Sequence, residues 1–154
     1  MRKMLATGFA ALLGVAVWAI AAGEGFLSTT GPVIAILAGD LFLGEAEGRL
    51  GGSGTLRIRS RADPGVTCSG QFTYSAERGD AGTMRCSDGA TGAFQFHRLS
   101  LLRGYGTGSS SRGSISFTYG LSADESGPYL KLPAGKALRR DGDLMLVDVA
   151  QPVP

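Results

Sequence analysis

The chain has 154 residues, with 15 Lys+Arg against 13 Asp+Glu, one His and two Cys. The two surplus positive charges are Arg2 and Lys3, so the residues beyond position 21 carry 13 basic and 13 acidic side chains. A neutral body of about 130 residues suits one domain with a single core and gives no electrostatic ground for a nucleic-acid partner.

Arg2 and Lys3 are followed by an uncharged run from Met4 to Ala22. A basic start, an apolar middle and the small-residue box Ala19-Ile20-Ala21 make a secretory signal. The run also approaches the roughly 20 residues that cross a bilayer as a helix. Residues 1–22 therefore read as a signal peptide or as an uncleaved signal anchor, a membrane tether through residues 4–22. Both readings send residues 23–154 out of the cytoplasm as one exported domain, because the positive end stays inside. The expected location is the periplasm or cell envelope, with inner-membrane anchoring if the helix is retained.

Beyond Ala22 the chain is rich in Gly, 25 of 154 residues overall, and apolar side chains alternate with polar ones instead of recurring at helical spacing. The alternation predicts strands near 33–38, 41–50, 54–61, 66–76, 82–87, 92–103, 113–121 and 144–149, with a short one at 129–132. Residues 104–113 read as a flexible Gly-rich connection, and 122–143, with Pro128 and Pro133, as a long polar connection. The expected fold is all-β, an antiparallel meander forming a small barrel or sandwich of about eight strands.

Two hairpins carry explicit registers. With a turn centred on Gly52, Glu45 faces Arg59 and Glu47 faces Arg57 on one side, while Ala46 meets Ile58 and Gly48 meets Leu56 on the other. A turn near Glu77 sets Cys68 opposite Cys86, which in an exported chain predicts a disulfide; the alternative is two buried thiols. Phe72, Tyr74, Phe94, Phe96, Phe117 and Tyr119 alternate inward and are large enough to fill a barrel.

Gly39-Asp40-Leu41-Phe42, Gly65-Val-Thr-Cys-Ser-Gly70, Cys86-Ser-Asp-Gly89 and Phe117-Thr-Tyr-Gly120 are turn and strand motifs. In them the chain resembles a group of small exported bacterial Gly-rich β-proteins with no assigned activity. The resemblance spans Asp40 to Leu121 and implies a fold and a compartment, with no catalytic residue.

The candidate chemistry is sparse. His97 needs an orienting carboxylate and a nucleophile, for which Asp88 and Ser87 are the nearest in sequence, and no Gly-x-Ser-x-Gly elbow or Ser-x-x-Lys pair occurs. Glu45 and Glu47 lie about 7 Å apart on one strand face, a glycosidase-like spacing, but Arg partners would hold both ionised. Asp124-Glu125 and Asp141-x-Asp143 fall in turn-like sequence, where carboxylates cap backbone groups. Two Cys and one His do not complete a metal set, so no metal and no cofactor is expected. Arg57, Arg59 and Arg61 form a one-sided ladder, a weak candidate for binding a polyanion, without the aromatic platforms of a nucleic-acid sheet. Gly104-x-Gly-x-Gly108 lacks the context of a phosphate loop, and Arg78-Gly79-Asp80 reads as an ordinary turn.

The sequence therefore points to a non-catalytic binding or accessory module for an envelope protein or glycan, acting through an exposed strand edge or the 104–113 segment. The alternatives are a carrier barrel for a small apolar ligand and a minimal hydrolase centred on His97.

Overall fold

A computed structural model describes residues 27–77 and 79–150. Residues 1–22, expected to be an export segment, lie outside the described residues, as does Arg78. Among the described residues no helix is long and apolar enough to cross a membrane.

Eight strands close into an antiparallel barrel: β1 (Ser28–Leu37), β2 (Asp40–Arg49), β3 (Ser53–Ser60), β4 (Thr67–Thr73), β5 (Asp80–Cys86), β6 (Thr91–Ser100), β7 (Arg103–Ser110) and β8 (Gly113–Tyr119). Each strand pairs with the next in sequence, and β8 returns to pair with β1 from Val33↔Tyr119 to Leu37↔Ile115. Closure removes the open edges that a sandwich would have left and confines unpaired β1 edge to the stretch before Val33, where the β8 pairing begins.

The inner face explains both the glycine content and the closure. Around one ring of inward positions the register runs Gly54↔Phe72↔Gly82↔Phe94↔Gly108↔Ile115, and around another Phe96↔Gly106↔Phe117↔Ala35↔Phe42. Large and small side chains alternate from strand to strand, so the rings of Phe72, Phe94 and Phe117 lie over a neighbour's bare backbone. A Cβ on Gly54 would sit 2.2 Å from Phe72, on Gly82 2.4 Å from Phe94, and on Gly106 2.4 Å from Phe117. The core is the resulting set of Phe72, Phe94, Phe96 and Phe117 with Phe42, Ile58 and Met84.

This pattern corrects the reading of residues 104–113. They form β7 and the turn into β8, and the alternation is real but has glycine as its apolar member: Gly104, Gly106 and Gly108 point inward, Tyr105, Thr107 and Ser109 outward.

The β2–β3 register is also corrected. Glu45 faces Arg57, Glu47 faces Thr55 and Ala46 faces Leu56, two residues from the expected pairing. The turn is tighter, with Gly52 N–H donating to the Arg49 carbonyl at 3.1 Å and Gly52 at φ +86°. A shift of two keeps every side chain on its expected face. The Cys68↔Cys86 pairing holds as expected, and the two are joined in a disulfide.

Residues 122–143 are not a plain connection. They contain α1 (Ala123–Ser126), a 3-10 turn at Gly127–Tyr129, which takes the place of the short strand expected at 129–132, and β9 (Lys136–Asp141), which pairs with β10 (Asp143–Asp148). The segment packs Leu130 and Leu144 on the outward side chains Ile34, Ile36 and Leu41. That cover makes Val33–Leu37 buried on both faces, as its unbroken apolar run requires. Polar contacts fix the same segment to β8: Thr118 Oγ1 lies 2.7 Å from Ser126 Oγ, and Lys131 N–H donates to Ser116 Oγ at 2.8 Å.

α1 is only four residues long and is held by its ends. Ser122 N–H donates to Glu125 Oε2 at 2.9 Å and Glu125 N–H to Ser122 Oγ at 3.2 Å, a capping box, and Arg103 pairs with the Glu125 carboxylate. The Ser122 backbone N–H first, then Arg103, hold the Glu125 carboxyl at about 2. A depressed carboxyl pKa contributes stability that is complete above the ordinary value of 4.5 and disappears as pH falls through about 2. In acid titrations followed by urea unfolding, the stability difference between the native chain and Glu125→Gln should be constant above pH 4.5 and close towards pH 2.

Gly106→Val forces a branched side chain against Phe117 and the Gln95 carbonyl and should cost about 1–3 kcal/mol, whereas Gly51→Ala, with open space around it, should stay within about 0.5 kcal/mol. Urea midpoints of the two variants check this. Reducing the Cys68–Cys86 bridge, which closes a separation of 18 residues, should lower stability by about 3 kcal/mol in the same assay.

Candidate functional site

The two ends of the barrel differ in chemistry. At one end the turns β1–β2, β5–β6 and β7–β8 are tied by polar groups: the Arg112 guanidinium bridges Asp40 at 3.3 Å and Asp88 at 3.2 Å. Ser87 Oγ accepts from Thr67 N–H at 3.0 Å and donates to the Gly65 carbonyl at 3.2 Å, adding the β3–β4 loop to the same floor. This end is closed.

The other end is open. β1 extends beyond its pairing with β8: the β8 register begins at Val33, Gly120 N–H donates to the Pro32 carbonyl at 2.8 Å just past it, and Ser28–Gly31 continue the pairing with β2. Behind that gap is an apolar cavity of about 60 Å³, floored by Leu56, Phe72, Met84 and Phe117 and flanked at its mouth by Tyr74, Leu101, Leu102 and Tyr119. Edge-to-face aromatic contacts fix its walls: Phe72–Phe96 at 5.6 Å, Tyr74–Phe96 at 5.3 Å and Phe96–Tyr119 at 6.1 Å between ring centres. A cavity of 150 Å³ accepts benzene, so this one admits a narrower group, the size of the end of an alkyl chain.

Two phenols give the mouth its polarity. Tyr74 is covered by the Arg98 guanidinium, 4.8 Å above its ring, and Arg98 Nε donates to Asp80 at 2.9 Å. Burial pushes the Tyr74 phenol up, with Arg98 acting against it. Tyr119 lies over Gly104, and its hydroxyl is buried without a hydrogen-bond partner among the described residues. Burial, followed by the neighbouring Tyr74, drives the Tyr119 phenol strongly upward, so it stays a neutral donor at physiological pH. An unpaired buried hydroxyl costs about 1–3 kcal/mol.

The residues singled out from sequence are not brought together. Ser87 and Asp88 belong to the closed end, and His97 stands six positions along β6 from Thr91 on the outer face, roughly 20 Å of strand away. His97 packs instead on Tyr105, ring centres 5.3 Å apart, which stacks on Tyr129 at 4.4 Å. Glu45 and Glu47 share the outer face of β2; no ion pair joins Glu45 to Arg57 among the described residues, and Arg59 faces Leu43. Arg61 turns to Asp143 of β10 at 3.3 Å. The Arg57, Arg59, Arg61 ladder is therefore broken at its third member. Asp80 of the Arg78-Gly79-Asp80 tripeptide is engaged by Arg98 and by Ser75 N–H at 3.2 Å.

Sequence reasoning missed the mouth. The signal was Leu99, Leu101 and Leu102 clustered at a strand end, where alternation breaks between Arg98 and Ser100.

No family model matches the chain. No curated protein matches it either. Among solved structures, a de novo designed fluorescence-activating β-barrel is similar at a TM-score of 0.51 and 18% identity, covering 64% of this chain and 96% of that one. At that identity the likeness shows the closed barrel and nothing finer.

Proposed function

We propose that this protein is an exported, non-catalytic barrel that binds one narrow apolar group, such as the end of an acyl chain, through its open end. The observation that carries the reading is the apolar cavity of about 60 Å³ lined in part by Tyr119, whose buried hydroxyl has no hydrogen-bond partner among the described residues. A group that fits is aliphatic, with one neutral acceptor such as an ester or alcohol oxygen a few atoms from its tip. The interior does not take a whole lipid, because the inward aromatic rings occupy most of it; the carrier reading narrows to gripping part of a larger molecule. The designed barrel, described as fluorescence-activating, supports the fold and adds no ligand.

The compartment belongs to the same reading. A disulfide between Cys68 and Cys86 fits an oxidising environment, and the leader sequence fits export to the envelope.

Adding 1-butanol to the ¹³C-methyl-labelled chain should shift the Met84, Ile58 and Ile115 methyl resonances, which line the cavity, in a saturable way. Ala46→Leu should fill the space and abolish the shifts. Tyr119→Phe should leave a response to butane but weaken butanol by about 1 kcal/mol, roughly fivefold. Absence of saturable shifts in the native chain ends the proposal.

A further inference from the structure

Among the described residues seven large apolar side chains are exposed, and five of them, Leu27, Leu50, Leu99, Leu101 and Leu102, belong to the open end of the barrel. Leu50 N–H donates to the Leu27 carbonyl at 3.1 Å, so the β2–β3 turn and the start of β1 form one side of the rim. Leu99, Leu101 and Leu102 form the β6–β7 side, with the Leu102 carbonyl near Gly31 and Gly120. Their exposures run from 48% to 69%, and Leu101 and Leu102 border the cavity itself. Exposed leucines on two sides of an apolar mouth concentrate apolar surface at one end of the molecule, as interaction surfaces do.

We infer that this end of the barrel docks on the surface of a lipid bilayer, with the mouth turned towards the acyl chains. Three observations select the bilayer as the occupant. The uncharged run Met4–Ala22 joins the barrel at this end, and only residues 23–27 separate it from β1, a reach of at most about 18 Å. Of the described charges at the rim, Arg98 is paired with Asp80 and Arg103 with Glu125, and the exposed Arg49 and Glu77 are of opposite sign, so contact depends on leucine insertion more than on anionic headgroups. The outer wall then sets the depth, because Ser69, Gln71, Thr83, Gln95, Thr107 and Ser109 are exposed around β4–β7, the reverse of the apolar belt of a barrel that spans a membrane. The leucines enter and the wall stays in water. Only the role of the mouth rests on the ligand reading above; the docking surface stands on the rim and the chain path.

The test uses the full chain with Trp18→Phe, which removes its one tryptophan, and a reporter at either end: Leu101→Trp on the rim or Ser111→Trp on the closed end. Each is mixed with phosphatidylcholine vesicles with and without brominated acyl chains. The rim tryptophan should be quenched at least twofold by the brominated vesicles and the closed-end tryptophan left unchanged. Adding Leu27→Ser, Leu50→Ser and Leu99→Ser should abolish most of the rim quenching while the chain still floats with the vesicles and 1-butanol still shifts the Met84 methyl. Equal emission of the rim reporter in both vesicle types overturns the inference. So does a rim tryptophan already shielded without lipid, which assigns the patch to residues 1–26 or to a second copy. Loss of the butanol response with rim quenching intact would instead remove the ligand reading and leave the docking in place.

Discussion

The fold depends on the pairing of a bare backbone with an aromatic ring across neighbouring strands. An eight-stranded barrel has an interior just wide enough to be filled by side chains, and rings on every strand would overfill it. Glycine at Gly54, Gly82, Gly104 and Gly106 gives the rings of Phe72, Phe94, Tyr119 and Phe117 their seats. The same glycines permit the close approach and local bending by which strands curl into a closed wall. Packing and closure are thus one device, and the cavity at the open end is the space left where the sequence puts Gly48 and Ala46 opposite Gly54 and Leu56.

That device also decides what could be read in advance. Strands with Val, Ile, Phe or Arg in alternation were legible, as were the inward aromatic set and the Cys68↔Cys86 register, because the residues that carry the period are also the ones that pack. β7 was not legible, since its inner positions are Gly104, Gly106 and Gly108 and periodicity is blind to an absent side chain. α1, β9 and the cover over β1 were hidden because Leu130, Leu138 and Leu144 pack on the first two strands, far earlier in the chain. The mouth was hidden for another reason: it is assembled from turns, where local sequence sets a bend but not what faces across it.

The polarity of the barrel is consistent from end to end. Arg112, Asp40 and Asp88 lock one end with charges, the wall carries hydroxyls and amides, and the apolar surface gathers at the end where the chain enters. Such segregation gives the domain a direction, which a scatter of single exposed leucines would not.

The seam between β1 and β8 has a consequence for assembly. Every other pairing in the barrel joins strands adjacent in sequence, so hairpins can zip one after another, whereas Val33–Leu37 must wait for Ile115–Tyr119. The strap formed by α1, the 3-10 turn and the β9–β10 hairpin crosses that late junction and fastens it, through Ser116, Thr118 and the leucines over Ile34 and Ile36. The segment that follows β8 is therefore a latch: it holds shut the seam that turns a curled ribbon into a cylinder.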